Sequence, residues 1–554
     1  MLKKLSAKTV SVSLAILLLA VQLLMQLHLA RTDAQTTDEA IHLFAGYTYL
    51  TKGEFNYNAE HPPLIKTIAA LPLLVIKPNM PDNDPYWEKA KNYFYYDPFE
   101  ERGLAEQFLY KLGNNADQVL FWGRVPMTLL TLLLGVLVYA IAASFFGWWG
   151  GLLAVALYVF DPTVTAHGHL VTTDIGASIG YLLTIFVAWH LVKKPTWPRV
   201  LFFAVALSIA LLSKFTTIIL LPVLAVLFFF YARKQTSKVW PVLWPKLITA
   251  AGVIWFLILA CYQFQLRIPP YVLSVKQAFT GQQQTVTDAS FATKGYNALR
   301  YALAPGGYVK GLGLVITHVA SGHDAYLLGQ TSNKGWWYYF SIIFLAKTPL
   351  PSLLLAAIAI WWAMQNHKKH PVGGYLVLAA IGFLACASLS RANLGVRHIL
   401  PVYPLLFIAI GSLVLIKENI IKRVVLGVSI AWLVTAFVRT YPYYLSSYNE
   451  VAGGAYNGYK IATDSNVEWG QDLNRIKAYI DQHHIVRPYL EYNWNGQPSL
   501  EYYGFDYRPL WEYKRGDSGT LILGASALQG KSYRWLKSYE PVDRITPSVF
   551  VYQF

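Results

Sequence analysis

One stretch of the sequence combines the side chains that group-transfer chemistry needs. Residues 37–66 read TDEAIHLFAGYTYLTKGEFNYNAEHPPLIK and open on two adjacent acids, Asp38 and Glu39. Further polar side chains end the stretch: Glu60, His61 and Lys66. A carboxylate can take a proton from a hydroxyl group, and cations can stabilise a departing phosphate. The stretch therefore predicts a transfer site, although the acids could simply cap the next helix and the Pro-Pro pair could begin another.

Other ionisable residues lie at the ends of apolar runs, where charge is costly and its default interpretation is functional. They are Asp174, Lys214, Arg397 and His398. Each also has a structural interpretation, because Asp174 could cap a helix and the cations could anchor the chain at a membrane interface. The HGH motif before Asp174 could bind a metal, but this spacing is a weak signal. A divalent metal is therefore possible, and the residues present do not require one.

The composition predicts a membrane protein with many spans. Of 554 residues, 55% are hydrophobic and only 14% are charged, whereas soluble domains carry about a quarter charged residues. The net charge of +16 comes from Lys and Arg in short loops between apolar runs, which follows the positive-inside rule and requires no nucleic-acid partner. Two cysteines, Cys261 and Cys386, lie within apolar runs and form no disulfide framework.

About eleven apolar runs are long enough to be transmembrane helices. They lie near 10–29, 125–146, 150–166, 174–192, 200–213, 215–232, 247–266, 337–363, 373–389, 397–416 and 424–440. The first follows three lysines and lacks a clean cleavage site, so we expect an uncleaved anchor with a cytoplasmic N-terminus.

The same orientation places most basic loops on the cytoplasmic side. Two long segments, about 31–122 and 267–335, and the tail from 441 then lie outside. We therefore expect a transmembrane catalytic domain over 1–440 and a small extracytoplasmic α/β domain over 441–554. In the tail, residues 464–484 predict a helix that begins at Asp464 or Ser465, and RPYLEY, GTLILG and SVFVYQF predict strands.

These motifs resemble a known family. DEAIHLFAGYTYLTKGEF followed by EHPPLIK resembles the first external loop of protein O-mannosyltransferases and their bacterial relatives, the phospholipid-carrier-dependent glycosyltransferases of the GT-C superfamily. Further similar stretches cover nearly the whole chain in order: GRVPM, HGHLVTTD, LLSKFT, AYLLGQTSNKGWWYYF, LAKTPLP, LGVRHILPVYP and DSNVEWGQDL. The 267–335 segment is too short for the MIR repeats of the eukaryotic enzymes, so their preference for protein acceptors does not carry over.

The resemblance implies a role for each residue that matches a motif. Asp38 would be the catalytic base, Glu39 would support it or orient the acceptor, and Asp174 would be the second acidic residue of the site. Arg124, in GRVPM, would organise the site from the second span.

Other residues would contact the substrates. By the resemblance, Glu60 and His61 would hold the donor phosphate or adjust the catalytic loop. Lys66, which ends the same motif, is a further candidate for substrate contact. Charge and position make Lys214 and Arg397, with the adjacent His398, candidates for phosphate contact. Tyr326 and the aromatic residues after it would line a donor or acceptor groove.

The sequence thus predicts an integral membrane glycosyltransferase of the cell (inner) membrane. It would move a sugar from a polyprenyl-phosphate carrier to a protein, lipid or polysaccharide acceptor at the outer face, by direct displacement with inversion. The alternative is a transporter or flippase of lipid-linked sugars, which would place its ionisable residues near the bilayer midplane. Lys347, about ten residues into a span, is the main feature in favour of that alternative.

Overall fold

The structure is a computed structural model that describes residues 6–90, 97–232, 239–265, 306–492 and 497–554. The described chain consists mainly of helices. Part of the predicted external segment 267–335, up to residue 305, lies outside the described residues, so the structure gives no account of it.

Five of the described helices are long and apolar enough to cross a membrane by length and composition. They are Ala7–Thr32, Ala116–Phe146, Asp174–Lys193, Pro241–Cys261 and Ile420–Thr440. Two bent pairs raise the number to seven if each pair is one span: Trp148–Val159 with Pro162–Gly168, and Tyr339–Lys347 with Leu350–Gln365. Four apolar helices are shorter: Trp197–Ser213, Phe215–Phe230, Pro371–Ala387 and Val402–Leu415. Every predicted run coincides with one of these helices or pairs, and the count of eleven spans stays a prediction.

Polar caps fix where several of these helices begin. The Ser6 hydroxyl accepts a hydrogen bond from Thr9 N, and the Asn115 and Asn419 side chains accept bonds from backbone N–H groups three residues further on. Such caps satisfy N–H groups that have no partner inside the helix. They lie just outside the apolar segments, where polar side chains cost least.

Shorter helices connect the long ones and make up the described part of the predicted external segment 31–122. Those before residue 112 are Glu39–Lys52, Pro63–Ala70, Leu73–Ile76, Pro85–Ala90, Pro98–Glu106 and the π-helix Gln107–Lys111. The later α-helices are Gly306–Ser321, Gly454–Asn457, Leu473–Gln482, Gln497–Tyr502 and Ala525–Gln529. Short 3₁₀ helices occur at Phe215–Ile219, Val396–Ile399, Ser412–Leu415, Tyr444–Ser446, Gly458–Lys460, Asp464–Asn466, Leu510–Glu512 and Arg534–Ser538.

The described residues form two sheets outside the long helices. The strands β1 (Ala325–Leu327) and β2 (Gln330–Ser332) form an antiparallel hairpin. The C-terminal region contains a five-stranded mixed sheet in the order β4-β3-β5-β7-β6. Its strands are β3 (Tyr489–Glu491), β4 (Arg508–Pro509), β5 (Thr520–Gly524), β6 (Asp543–Thr546) and β7 (Val549–Gln553). β3 runs parallel to β4 and β5, and β7 runs antiparallel to β5 and β6.

The alternation of side chains along β5 explains why this sheet is buried on both faces. Ile522 points to the side covered by the helix Leu473–Gln482, which contributes Ile476 and Ile480 to the same apolar cluster. Leu521 and Leu523 point to the other side and join a second cluster. The predicted fold class, a polytopic helical membrane protein with a small C-terminal α/β region, is confirmed.

One local prediction in this region is wrong. The helix expected from Asp464 or Ser465 begins at Leu473, and Asp464–Asn466 instead form a 3₁₀ turn. The Ser465 hydroxyl donates to the carbonyl of Leu394, so its side chain is directed to the loop that carries Arg397. A tertiary contact therefore replaces the helix start that the local sequence favours.

Candidate active site

Asp38 does not cap the helix that follows it. It occupies the N-cap position of Glu39–Lys52 with helical backbone angles, and its side chain accepts no capping bond. Its Oδ2 instead lies 3.3 Å from Nη1 of Arg397, and 23% of the side chain is exposed. The carboxylate is thus oriented by a cation while part of it stays accessible to a substrate.

Glu39 differs from Asp38 because it is completely buried. Arg124 donates to both of its carboxylate oxygens, from Nε at 2.8 Å and from Nη2 at 2.6 Å. The backbone N–H groups of Thr36 and Val171 also donate to Glu39. Burial opposes a charge on Glu39, but Arg124 and these two donors lower the pKa of the carboxyl below its usual value. Glu39 is therefore a charged structural anchor directly beside Asp38.

Arg124 ties this anchor to the end of the first helix. Its remaining donor bonds go to three backbone carbonyls, those of Ala30, Asp33 and Ala34. The guanidinium, which is 1% exposed, therefore joins the residues on both sides of the turn that leads to Asp38. A planar guanidinium suits such a site because its donors point in fixed directions.

Asp174 lies on the other side of Arg397 and has a second cation of its own. Its Oδ1 is 2.5 Å from Nζ of Lys214, and its Oδ2 is 4.0 Å from Nη1 of Arg397. Asp174 begins the helix Asp174–Lys193, and Lys214 lies at the junction between Trp197–Ser213 and the following 3₁₀ turn. Asp38, Arg397, Asp174 and Lys214 therefore form one chain of alternating charges, which we call the charge cluster.

Several buried polar atoms around the charge cluster have no hydrogen-bond partner within the described parts of the chain. They are Asp174 Oδ2, Arg397 Nε, His398 Nε2, His61 Nδ1 and His42 Nε2. Leaving such atoms unpaired costs free energy, so each needs an explanation. A bound polar group would supply the missing partners.

Two histidines beside the cluster are neutral near pH 7. Burial lowers the pKa of His42 to about 4, although Asp38 opposes this shift. Burial and the neighbouring cations lower the pKa of His61 well below its usual value. Their rings meet edge to face with centroids 5.1 Å apart, and His42 Nδ1 lies 2.7 Å from the carbonyl of Val171. His61 can thus offer a neutral hydrogen-bonding group to a substrate, whereas a cationic role does not fit its surroundings.

Lys66 and Glu60, both predicted to contact substrate, have protein partners. The Lys66 ammonium donates to Tyr49 Oη, Asn58 Oδ1 and the carbonyls of Asn58 and His61. Glu60 Oε1 lies 3.2 Å from Nδ1 of His318. Lys66 is buried and holds the turn that contains His61, so its contacts favour a positioning role.

Tyr326 does not join the charge cluster. It lies in the β1–β2 hairpin, where its hydroxyl donates to the carbonyl of Lys460 at 3.2 Å. The next residue, Leu327, forms a bridge with Ala462. The hairpin thus packs on the start of the C-terminal region, and the proposed groove role of Tyr326 has no support from these contacts.

The structure also brings in Asp33 and Trp469, which the sequence did not indicate, and His169, which the sequence indicated only as a possible metal ligand in the HGH motif. Asp33 accepts bonds from Arg475 at 2.8 Å and lies 3.2 Å from His169 Nε2, while the Trp469 ring lies against Arg397. His169 and Trp469 lie inside two of the motifs that carry the resemblance, HGHLVTTD and DSNVEWGQDL, so those motifs were the available signal. Asp33 gave no such signal.

The described residues contain no group of three or more His, Cys, Asp or Glu side chains placed to hold a metal ion. His169 is paired with Asp33, and Asp174 is paired with Lys214. The alternative in which the HGH motif and Asp174 share a metal is therefore not supported by the arrangement of the donors.

One family model matches a segment of the chain that contains part of this site. Residues 106–260 match the family model for dolichyl-phosphate-mannose-protein mannosyltransferase. This segment includes Arg124, Asp174 and Lys214. The resemblance to glycosyltransferases that the sequence motifs predict is thus confirmed over this part of the chain.

Two solved structures show a similar course of the chain. ArnT from Cupriavidus metallidurans bound to undecaprenyl phosphate is 14% identical, with 97% of each chain covered and a TM-score of 0.48. The Archaeoglobus fulgidus oligosaccharyltransferase in complex with Zn and sulfate is 11% identical, with 89% of this chain and 57% of that chain covered and a TM-score of 0.42. None of the curated proteins matches this chain.

Proposed function

We propose that this protein is an integral membrane glycosyltransferase that moves a sugar from a polyprenyl-phosphate carrier to an acceptor hydroxyl. The observation that carries the proposal is the charge cluster, in which the partly exposed Asp38 is 3.3 Å from Arg397. The match of residues 106–260 to a family of lipid-phosphate-sugar-dependent mannosyltransferases supports the same class of donor.

Asp38 is the group best placed to act as base. It takes the proton of the acceptor hydroxyl while the acceptor oxygen attacks the anomeric carbon of the donor sugar. The bond between that carbon and the phosphate oxygen breaks, and the electron pair leaves with the polyprenyl phosphate. One displacement inverts the anomeric configuration and needs no covalent sugar intermediate.

Arg397 is the group best placed to stabilise the leaving phosphate. Its Nε is buried and without a partner within the described chain, so it can donate to a phosphate oxygen as charge develops there. Asp174 holds Lys214 close by at 2.5 Å. Asp174 offsets part of the positive charge, so the two cations do not lie together without a counter-charge.

We place this chemistry at the outer face of the cell membrane, with a cytoplasmic N-terminus and an extracytoplasmic C-terminal region. Loops that contain KKPTWPR, NHKKH and KENIIKR connect the opposite ends of the spans, as the positive-inside rule requires of cytoplasmic loops. The donor phosphate would lie at the interface, and its polyprenyl chain would extend into the bilayer.

The flippase alternative has less support. The main feature that favours this alternative is Lys347. The Lys347 ammonium, however, donates to the backbone carbonyls of Leu445, Ser447 and Asn466. These bonds satisfy the three donors of an ammonium. Lys347 therefore anchors the segment that leads into the C-terminal region, and its position in a span needs no transport role.

Mass spectrometry of cell-envelope glycans and lipid-linked sugars tests the proposal. We would compare cells that lack the protein with cells that carry the wild type or Asp38→Asn. The expected result is one glycan modification that only the wild type restores, together with uncleaved lipid-linked sugar on the outer face of the other two strains. Uncleaved donor confined to the inner face when the protein is absent would support a flippase instead.

A further inference from the structure

The C-terminal region reaches into the charge cluster through one segment, residues 463–472, which we call the bridging segment. Its tryptophan, Trp469, is 5% exposed and contacts two parts of the proposed site. The Arg397 guanidinium carbon lies over the indole ring, 4.2 Å from its centroid. The Trp469 carbonyl accepts a hydrogen bond from Thr37 N at 2.9 Å, directly before Asp38.

The contact with Arg397 is of a kind that orients a cation without using its hydrogen-bond donors. A guanidinium that lies over an aromatic face is attracted by the negative face of the ring. This attraction does not use its N–H groups, which can still donate to acceptors. At Arg397, Nη1 points to Asp38 and Asp174, and Nε has no partner within the described residues.

The loop that carries Arg397 is held by the same bridging segment. Asn466 Oδ1 accepts a bond from Val396 N at 3.0 Å, and the Ser465 hydroxyl donates to the Leu394 carbonyl. Gly395 between them has φ +121°, and a Cβ there would lie 2.5 Å from the Ser465 oxygen. The loop can therefore pass this close to the bridging segment only with glycine at this position.

The bridging segment also fixes the loop that carries Asp38. Besides the bond from Thr37, the Gln471 carbonyl accepts a bond from Ala34 N at 3.0 Å. Gln471 in turn holds Trp469, because its Oε1 accepts a bond from Trp469 N at 2.7 Å. One short segment thus sets the positions of both members of the Asp38–Arg397 pair.

We propose that Trp469 is a positioning residue that holds Arg397 in the orientation in which it meets Asp38 and the donor phosphate. This inference rests on the proposed function for the identity of the ligand. It also gives the C-terminal region a role, since this region completes the site from outside the membrane helices.

The test measures binding of undecaprenyl phosphate to the purified full-length protein in detergent, by native mass spectrometry. The variants are Trp469→Leu, Trp469→Phe and Arg397→Gln, with the double variant Trp469→Leu/Arg397→Gln. Trp511→Leu is the matched control, because this C-terminal tryptophan is 74% exposed. Melting temperatures of all variants are measured in the same detergent.

We expect Trp469→Leu to weaken binding roughly tenfold, since a desolvated cation–π contact is of that strength. Trp469→Phe keeps an aromatic face and should stay within about threefold of the wild type. In the Arg397→Gln background, Trp469→Leu should cause no further loss, because Trp469 acts through Arg397. Binding by Trp469→Leu as tight as that of the wild type, or an equal loss in both backgrounds, would overturn the inference.

The melting temperatures separate this inference from the proposed function. If the wild type does not bind undecaprenyl phosphate, the proposed donor is wrong, while non-additive melting temperatures for Trp469→Leu and Arg397→Gln still support the positioning contact. Additive melting temperatures would refute the contact whatever the donor is. If Trp469→Leu does not fold, the cycle is carried out with Trp469→Met, which also removes the aromatic face, and additivity there counts against the inference.

Discussion

Glu39 and Arg124 form a two-point ion pair that is almost completely removed from solvent, with N–O distances of 2.8 and 2.6 Å. The pair joins the second long helix to the turn between the first helix and Asp38. The two adjacent acids therefore have different roles. Glu39 fixes the backbone, and Asp38 faces the proposed substrate site.

Glu39→Gln should be strongly destabilising. The change leaves the Arg124 guanidinium buried without its counter-charge, which typically costs about 3–5 kcal/mol. Thermal unfolding of the purified protein in detergent measures this effect. Glu418→Gln is the control, because Glu418 also pairs with an arginine but is well exposed, and it should change the melting temperature little. Equal effects of the two changes would show that the buried pair is not an anchor.

Asp174 and Lys214 should be coupled in stability. Asp174→Asn or Lys214→Gln alone leaves one buried charge without its partner at 2.5 Å, so each should cost about 3–5 kcal/mol. The double variant leaves neither charge and should cost clearly less than the sum of the two. A double-mutant cycle on unfolding checks this, and an additive result would contradict the pairing. We expect all three variants to lose transfer activity.

Acid should destabilise the protein partly through His42. Burial lowers the pKa of His42 to about 4 in the folded state, whereas an unperturbed histidine has a pKa near 6.5. Between these two values the unfolded chain binds more protons than the folded chain, so the free energy of unfolding falls as the pH falls. The contribution of this one residue is about 3 kcal/mol over that range.

His42→Asn should reduce this acid sensitivity, because asparagine can donate to the Val171 carbonyl as Nδ1 does but does not titrate. Melting temperatures measured from pH 7 to pH 4 should decline less steeply for the variant than for the wild type. The control is His367→Asn, at an exposed histidine, which should leave the slope unchanged. Parallel slopes for His42→Asn and the wild type would refute the assignment.

The proposed orientation predicts opposite labelling of two exposed positions. Val486 in the C-terminal region is 83% exposed, and Lys368 lies exposed in a turn between two apolar helices. In a chain with both native cysteines replaced by alanine, an impermeant thiol reagent should label Val486→Cys in intact cells. Lys368→Cys should react only after lysis. The reverse pattern would invert the topology.

The periodicity and composition of the chain are enough to predict its helices, since an apolar run longer than about 17 residues has few other stable forms in a membrane. The strands at residues 489–491, 520–524 and 549–553 were likewise visible as short β-branched and aromatic runs. The sequence does not predict that this region's helix begins at Leu473. Hydrogen bonds of Ser465 and Asn466 with the loop that carries Arg397 override the capping signal of the local sequence.

The sequence also indicated most residues of the charge cluster but not their pairing. Asp174 and Lys214 are 40 positions apart, and Asp38 and Arg397 are 359 apart, so only the packing of the helices determines that these side chains meet. The sequence also predicts that Lys66 and Glu39 belong to the site. Their buried protein partners could not be predicted, because these contacts too depend on the packing of the helices. The sequence does not predict a role for Trp469, because its contact with Arg397 depends on how the C-terminal region packs on the helices.

The proposed sugar transfer depends most on Asp38 as the base. Transfer from a purified polyprenyl-phosphate sugar to the acceptor found in cells is measured in proteoliposomes that contain the wild type, Asp38→Asn or Asp82→Asn. Asp82 is the control because it is an exposed acid that lies, like Asp38, between the first two long helices. We predict that Asp38→Asn lowers the rate about 10²–10⁴-fold with an unchanged melting temperature, and that Asp82→Asn retains the wild-type rate. Near-normal transfer by folded Asp38→Asn would show that Asp38 is not the base.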